Sequence, residues 1–264
     1  MIGIFDSGLG GLTALKELRA LAPETEIVYF GDTGRVPYGT RSAETIRKYA
    51  FQDASFLLSK GVDMILVACG TASTAALGDL KRALPVPVVG VVEPAAEAAV
   101  KATRSGKIAV IGTAATIRTG AFDAAVKALS PEIKVVSRAC PLFVSLVEAG
   151  FTGPGCEITR LACEHYLSDI KESGADTLIL GCTHYPLIAE TIASVLPGVT
   201  LISAGAEAAR TVAALVKKPD GAPGRPAAVH YFVSDDPALF TASAAAFLGS
   251  DIRDRVEKID IDRL

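Results

Sequence analysis

The chain has 264 residues, 50% hydrophobic and 21% charged, with a formal net charge of −3. This supplies a sizeable core and excludes a disordered chain, while the lack of a long basic cluster excludes a nucleic-acid partner, Lys217-Lys218 being an ordinary surface pair. No apolar run reaches the roughly 18 residues of a membrane span, and the chain opens on an apolar strand, so no membrane segment and no signal peptide are expected.

Ile2-Gly3-Ile4-Phe5 reads as a short buried strand. It ends at Asp6-Ser7-Gly8-Leu9-Gly10-Gly11, and a helix is predicted from Thr13 to Leu21. A strand, a glycine-rich turn and a helix can make an anion site, because the first N–H groups of a helix lack internal partners. The glycine spacing does not match the GxGxxG nucleotide fingerprint. A second strand spans Glu26 to Asp32, and a polar loop with a Pro37-Tyr38-Gly39 turn follows, a place where ligand contacts are often found. Ser42 is the expected N-cap of a helix running to about Lys60 and stopping at Gly61.

Met64-Ile65-Leu66-Val67-Ala68-Cys69-Gly70-Thr71 is a buried strand that ends in a thiol. A helix is expected from about Thr74 to Ala83, before the apolar stretch Val86 to Pro94. The pattern then restarts, with a strand at Gly106 to Thr113, Thr116 and Thr119 close by, and a helix from about Gly120. A strand at Ile133 to Ser137 follows, then a short helix from Pro141 to Gly150 carrying Glu148, and a long helix from Gly155 to Ser173. Asp176 to Pro186 repeats the first thiol strand, with Cys182 placed 113 residues after Cys69 and followed by Thr183-His184. A strand at Val199 to Ser203, a helix at Gly205 to Val216, a loop at Pro219 to Pro226, a strand at His230 to Ser234 and a helix at Asp236 to Leu248 complete the chain.

Strands alternating with helices predict an α/β fold with mostly parallel sheets. The repeat predicts two pseudo-symmetric lobes, 1–94 plus 207–264 and an inserted 95–206, with a cleft between them. Five cysteines is an odd number with no CxxC pair, which predicts free thiols and a cytoplasmic location. Cys140, Cys156 and Cys163 read as small buried hydrophobes, and His165 as structural or solvent-facing.

Cys69 and Cys182, at equivalent strand ends, are expected on opposite sides of the cleft. One thiol on each face of a small molecule suits a racemase or epimerase: one thiolate removes a proton from a tetrahedral carbon and the other thiol returns a proton to the opposite face. A free thiol has a pKa of about 8.5 and needs a neighbour to exchange its proton. Asp6, His184 and Glu148 are the candidates, and Ser7, Thr71, Ser73, Thr116 and Thr183 could donate to a developing carbanion's carboxylate. Other readings are a zinc site at Cys182 and His184, which lacks further ligands at suitable spacing, a Cys69–Cys182 redox pair, and a Ser7 nucleophile, which lacks the G-x-S-x-G context.

These same residues resemble the glutamate racemase family, a cofactor-independent branch of the aspartate/glutamate racemase superfamily. The likeness runs nearly end to end, through Gly3 to Gly11, Pro37-Tyr38-Gly39, the Cys69 segment, Val92-Glu93-Pro94, Leu146-Val147-Glu148, Gly181 to Pro186 and Ser234 to Pro237. It implies two α/β lobes, interconversion of L- and D-glutamate without cofactor or metal, and supply of D-glutamate to peptidoglycan synthesis. It implies Cys69 and Cys182 as paired acid/base thiols, supported by Asp6, Glu148 and His184. It also implies substrate contacts at Ser7, Pro37, Tyr38, Gly39, Gly70, Thr71, Thr116 and Thr183, and a homodimer. No N-terminal extension of the kind tied to nucleotide-precursor activation precedes the first strand, so no such activator is expected.

The chain departs from the family pattern at two places. Gly70 stands where an asparagine is usual, which removes a hydrogen bond to a charged group worth roughly 1.5–3 kcal/mol. Ser203-Ala204-Gly205 stands where Asp-Ser-Gly is usual. Two other readings remain: racemisation of another amino acid such as aspartate, and a weakly catalytic amino-acid-binding or regulatory protein that keeps the cleft.

Overall fold

The computed structural model describes residues 1–216, 225–250, 252 and 255–263. Lys217, Lys218 and most of the loop expected at Pro219 to Pro226 lie outside them. The first part of the chain folds as β1 (Ile2–Asp6), α1 (Leu12–Leu21), β2 (Ile27–Gly31), α2 (Ala43–Ser59), β3 (Met64–Val67), α3 (Gly70–Ala83), β4 (Val88–Val89) and α4 (Val92–Ala102). The second comprises β5 (Lys107–Gly112), α5 (Ala114–Arg118), α6 (Ala121–Leu129), β6 (Lys134–Ala139), α7 (Leu142–Glu148), α8 (Glu157–Ser173), β7 (Thr177–Leu180), α9 (Ala189–Val195) and β8 (Thr200–Ser203). Then α10 (Ala204–Leu215), β9 (Val229–Val233), α11 (Pro237–Leu248) and β10 (Val256–Lys258) follow.

Two parallel sheets result, in the orders β10-β9-β2-β1-β3-β4 and β6-β5-β7-β8. The order β6-β5-β7-β8 is the order β2-β1-β3-β4 with each strand number advanced by four, so the sequence repeat is a topological repeat. The thiol-bearing strands β3 and β7 are buried on both faces, which explains their unbroken apolar composition. Each is preceded by an aspartate that ties its start: Asp63 accepts from the N-terminal ammonium at 2.6 Å, and Asp176 accepts from Thr103 Oγ1 and from the Arg104 and Ser105 amides at 2.7–2.8 Å.

Side-chain caps start several helices. Ser42 Oγ accepts from the Thr45 amide and Thr113 Oγ1 from the Thr116 amide. Ser203 Oγ accepts from the Ala206 amide, so the serine at this departure from the family pattern has a local structural role. One core cluster runs from α1 and β1 through α4 and α10 into β5 and β7, and packs the lobes together.

Several expectations need correction. α3 begins at Gly70, four residues before the predicted start, with the Ser73 amide donating to the Cys69 carbonyl at 2.8 Å. Glycine and hydroxyl residues favour turns locally, so this first turn is invisible to propensity; burial against the other lobe makes it helical. α4 and β10 went unread. Positions 94/95 and 206/207, where the two lobes are expected to divide, lie within α4 and α10. Cys140 and Cys163 are buried, but Cys156 is partly exposed at the head of α8, where hydrogen bonds from Thr159 draw its thiol below the usual range.

Candidate active site

Cys69 and Cys182 both stand two residues beyond their strands, at the carboxyl ends of the two sheets. They line one cavity of about 290 Å³. This is where open α/β sheets hold ligands, and here two such ends face each other. All five cysteines are free.

Around Cys69, Ser7 stands within 3.7 Å of Sγ and accepts from it. Burial, together with the charge of Asp6, pushes this thiol up to about 12 despite the amides at the head of α3. Asp6 does not line the cavity. It lies behind the wall, fully buried, accepting from the Gly8 amide at 3.0 Å and the Thr183 hydroxyl at 3.4 Å. Burial raises its pKa and the nearby His184 opposes the rise. Asp6 thus connects the Cys69 side of the site to the turn that carries Cys182.

On the opposite wall, His184 Nδ1 faces Cys182 Sγ at 3.9 Å and Nε2 meets Glu148 Oε1 at 2.8 Å. Burial disfavours the charged ring, but hydrogen bonds to Cys182 and Glu148 and the charges of Cys182 and Asp6 outweigh it and hold His184 up to about 10. Hydrogen bonds on both ring nitrogens thus favour the protonated imidazole. α7 delivers Glu148 to this point, with the carboxylate half-exposed at the cavity mouth.

Of the other candidate contacts, Ser7, Pro37, Gly39, Gly70, Thr71 and Thr183 line the cavity. Tyr38 lines it too, but its hydroxyl turns inward and donates to Asp32 and to Asp53 at 2.9 Å. Arg35 binds the same two buried carboxylates at 2.7 and 2.8 Å, so this ion cluster anchors the Pro37-Tyr38-Gly39 wall. Thr116 stands behind the surface, 3.3 Å from Thr71 and 3.0 Å from Thr113. Thr113 is itself 2.9 Å from Thr71, which makes a triangle of hydroxyls across the two lobes.

Ser73 is excluded from the site, since its hydroxyl donates to the Val67 carbonyl at 2.8 Å. Sequence reading missed Thr113, Val144 and Ser145 in the cavity wall; Thr113 was detectable as the cap of α5. The glycine-rich turn of β1 is not an open anion site. A Cβ at Gly10 would lie 2.1 Å from Thr183 Oγ1 and 2.6 Å from His184 Nδ1, so that glycine admits the Cys182–His184 turn of the other lobe. Gly70 is equally crowded, with a Cβ there falling 2.1 Å from the Gly181 carbonyl oxygen. The residue after Cys69 and the residue before Cys182 thus meet backbone to backbone.

Residues 13–212 match the Asp/Glu/hydantoin racemase family. Over 259 residues the chain is 48% identical to the glutamate racemase of Geobacter metallireducens, covering 96% of this chain and 94% of that protein. Among solved structures, the Francisella tularensis glutamate racemase in complex with D-glutamate matches with a TM-score of 0.90 at 35% identity, over 100% of this chain and 98% of that one. The Thermus thermophilus glutamate racemase in complex with β-chloro-D-alanine gives 0.87 at 43% identity, with coverage of 100% and 98%.

Proposed function

The chain belongs to the Asp/Glu/hydantoin racemase family, and from that premise we propose that it interconverts L- and D-glutamate with Cys69 and Cys182 as the two acid/base groups. The observation that carries this reading is the single cavity lined by both thiols, one from each sheet of a topological repeat.

One thiolate takes the α-proton and leaves a carbanion stabilised by its carboxylate, while the opposite thiol gives its proton to the other face. The two cysteines exchange protonation states, so protons balance over one turnover, and the reverse reaction uses the same steps. A buried thiol held up to about 12 is a poor base at rest. An α-ammonium bound beside it favours the thiolate electrostatically. Asp6 is the buried carboxylate of the Cys69 side, and His184 with Glu148 moves the proton on the Cys182 side. Hydroxyls of Ser7, Thr71 and Thr183 and the wall of Pro37, Tyr38 and Gly39 receive the substrate's polar ends, with Gly70 contributing only backbone and Thr116 supporting Thr71.

The aspartate alternative has no support among the relatives named above. The binding-only alternative rested on Gly70, whose missing side chain has a packing reason. The reading extends to D-glutamate supply for peptidoglycan synthesis by a cytoplasmic homodimer. No helix among the described residues is long and apolar enough to cross a membrane. Incubation with L-glutamate in deuterated water tests the reaction: α-deuterated D-glutamate is expected, and folded protein with free thiols that exchanges no α-proton would overturn it.

A further inference from the structure

His184 is held by two hydrogen bonds of unequal quality. One runs to a sulfur at 3.9 Å, and the other at 2.8 Å to Glu148, whose side chain is 44% exposed. Turning the ring about its Cβ–Cγ bond would break both bonds and place a carbon instead of Nδ1 opposite Cys182. Side-chain torsions of this kind are broad and roughly two-fold, so packing decides them. Gly10 and Phe247 both pack against the ring, and both come from the other lobe. Gly10 admits the ring edge, as described above. Phe247, on α11 and only 4% exposed, meets it in a T-shaped contact, with centroids 5.5 Å apart and planes at 88°. The same turn is further fixed by Thr13, whose hydroxyl donates to the Thr183 carbonyl at 3.0 Å. Phe247 lies beyond the segment that matches the family, 63 positions after His184 in sequence, and does not itself line the cavity.

We propose that Phe247 is a positioning residue for the Cys182 half of the reaction: its ring holds the His184 imidazole so that Nδ1 faces the Cys182 thiol. The proposal rests on the two-thiol reading. It makes the C-terminal helix of one lobe a support for the proton exchange of the other, and it predicts a defect in one proton transfer rather than in substrate binding.

The test measures kcat, KM and the α-deuterium isotope effect for each enantiomer in Phe247→Ala, Phe247→Leu, Phe247→Tyr and Glu148→Gln. A ring edge shifted by about 1 Å can cost on the order of 100-fold, so Phe247→Ala is expected to lower kcat by roughly 10- to 100-fold with KM little changed. Phe247→Tyr, which keeps the ring, is expected to restore most of the activity. The isotope effect is expected to rise for the enantiomer that Cys182 deprotonates and to fall for the other. Glu148→Gln loosens the same imidazole from its far side and must shift the same enantiomer. If Phe247→Ala does not fold, Phe247→Leu, which fills most of the volume without a ring, decides by the same asymmetry. Equal shifts of the isotope effect for both enantiomers, or a change in KM alone, would overturn the positioning role. Failure of the wild-type protein to exchange either α-proton would instead sink the racemase reading.

Discussion

Gly70→Ala probes how closely the two thiol-bearing lobes approach. A Cβ at position 70 would stand 2.1 Å from the Gly181 carbonyl oxygen, whereas carbon–oxygen contacts settle at roughly 3.3–3.6 Å. The lobes must part locally by more than about 1 Å, because both partners are backbone and neither can swing aside. Overpacking of this kind costs about 1–3 kcal/mol, which corresponds to roughly 5- to 150-fold. The contact joins the neighbours of Cys69 and Cys182, so the cost falls on closing the cleft. We expect kcat/KM for glutamate, followed by chiral chromatography, to drop by that factor while the melting temperature moves only a few degrees. Gly78→Ala in the same helix is the control. Its added Cβ would meet only the flexible end of Arg82 at 3.6 Å, and wild-type turnover is expected. Gly70→Asn carries the same Cβ and is expected to lower turnover as well, although its amide offers substrate a hydrogen bond. Wild-type kcat/KM in Gly70→Ala, or a gain in Gly70→Asn, would refute this reasoning.

Three further outcomes follow from the site and its supports. Cys69→Ser and Cys182→Ser should each cost at least the 10²- to 10⁴-fold typical of a positioned acid or base; normal racemisation by either single variant would end the two-base mechanism. Arg35→Met leaves Asp32 and Asp53 buried with no cation between them, so urea unfolding should show a loss of about 3–5 kcal/mol; an unchanged midpoint would mean the cluster is not the anchor of the Pro37-Tyr38-Gly39 wall. His184 is raised from an unfolded value of about 6.5 to about 10 in the fold. Its folded form therefore holds the extra proton between those values, and the stability it contributes is present below pH 6.5 or so and lost as pH rises toward 10. Glu148→Gln weakens that hold, so the stability gap between wild type and variant should shrink over this range. A gap that stays constant from pH 6 to 10 would contradict it.

What was legible in the sequence is what depends on local pattern. Buried parallel strands are apolar throughout, so β1, β3 and β7 declared themselves, and the two thiols could be paired because each follows its strand at the same spacing. Ser42 marked its helix because a cap acts within three residues. Tertiary structure alone decided the rest. Whether Asp6 touches substrate or stands behind the wall depends on Thr183 arriving from 177 positions away, and the inward turn of the Tyr38 hydroxyl depends on Asp53, delivered by α2. The first turn of α3 is helical only because the second lobe closes over Gly70. No periodicity encodes such a contact, since it joins two backbones whose meeting is set by the packing of α1, α4 and α10 between the sheets. The chain's own letters therefore paired the two thiols, and the distance between them is a property of the assembled lobes.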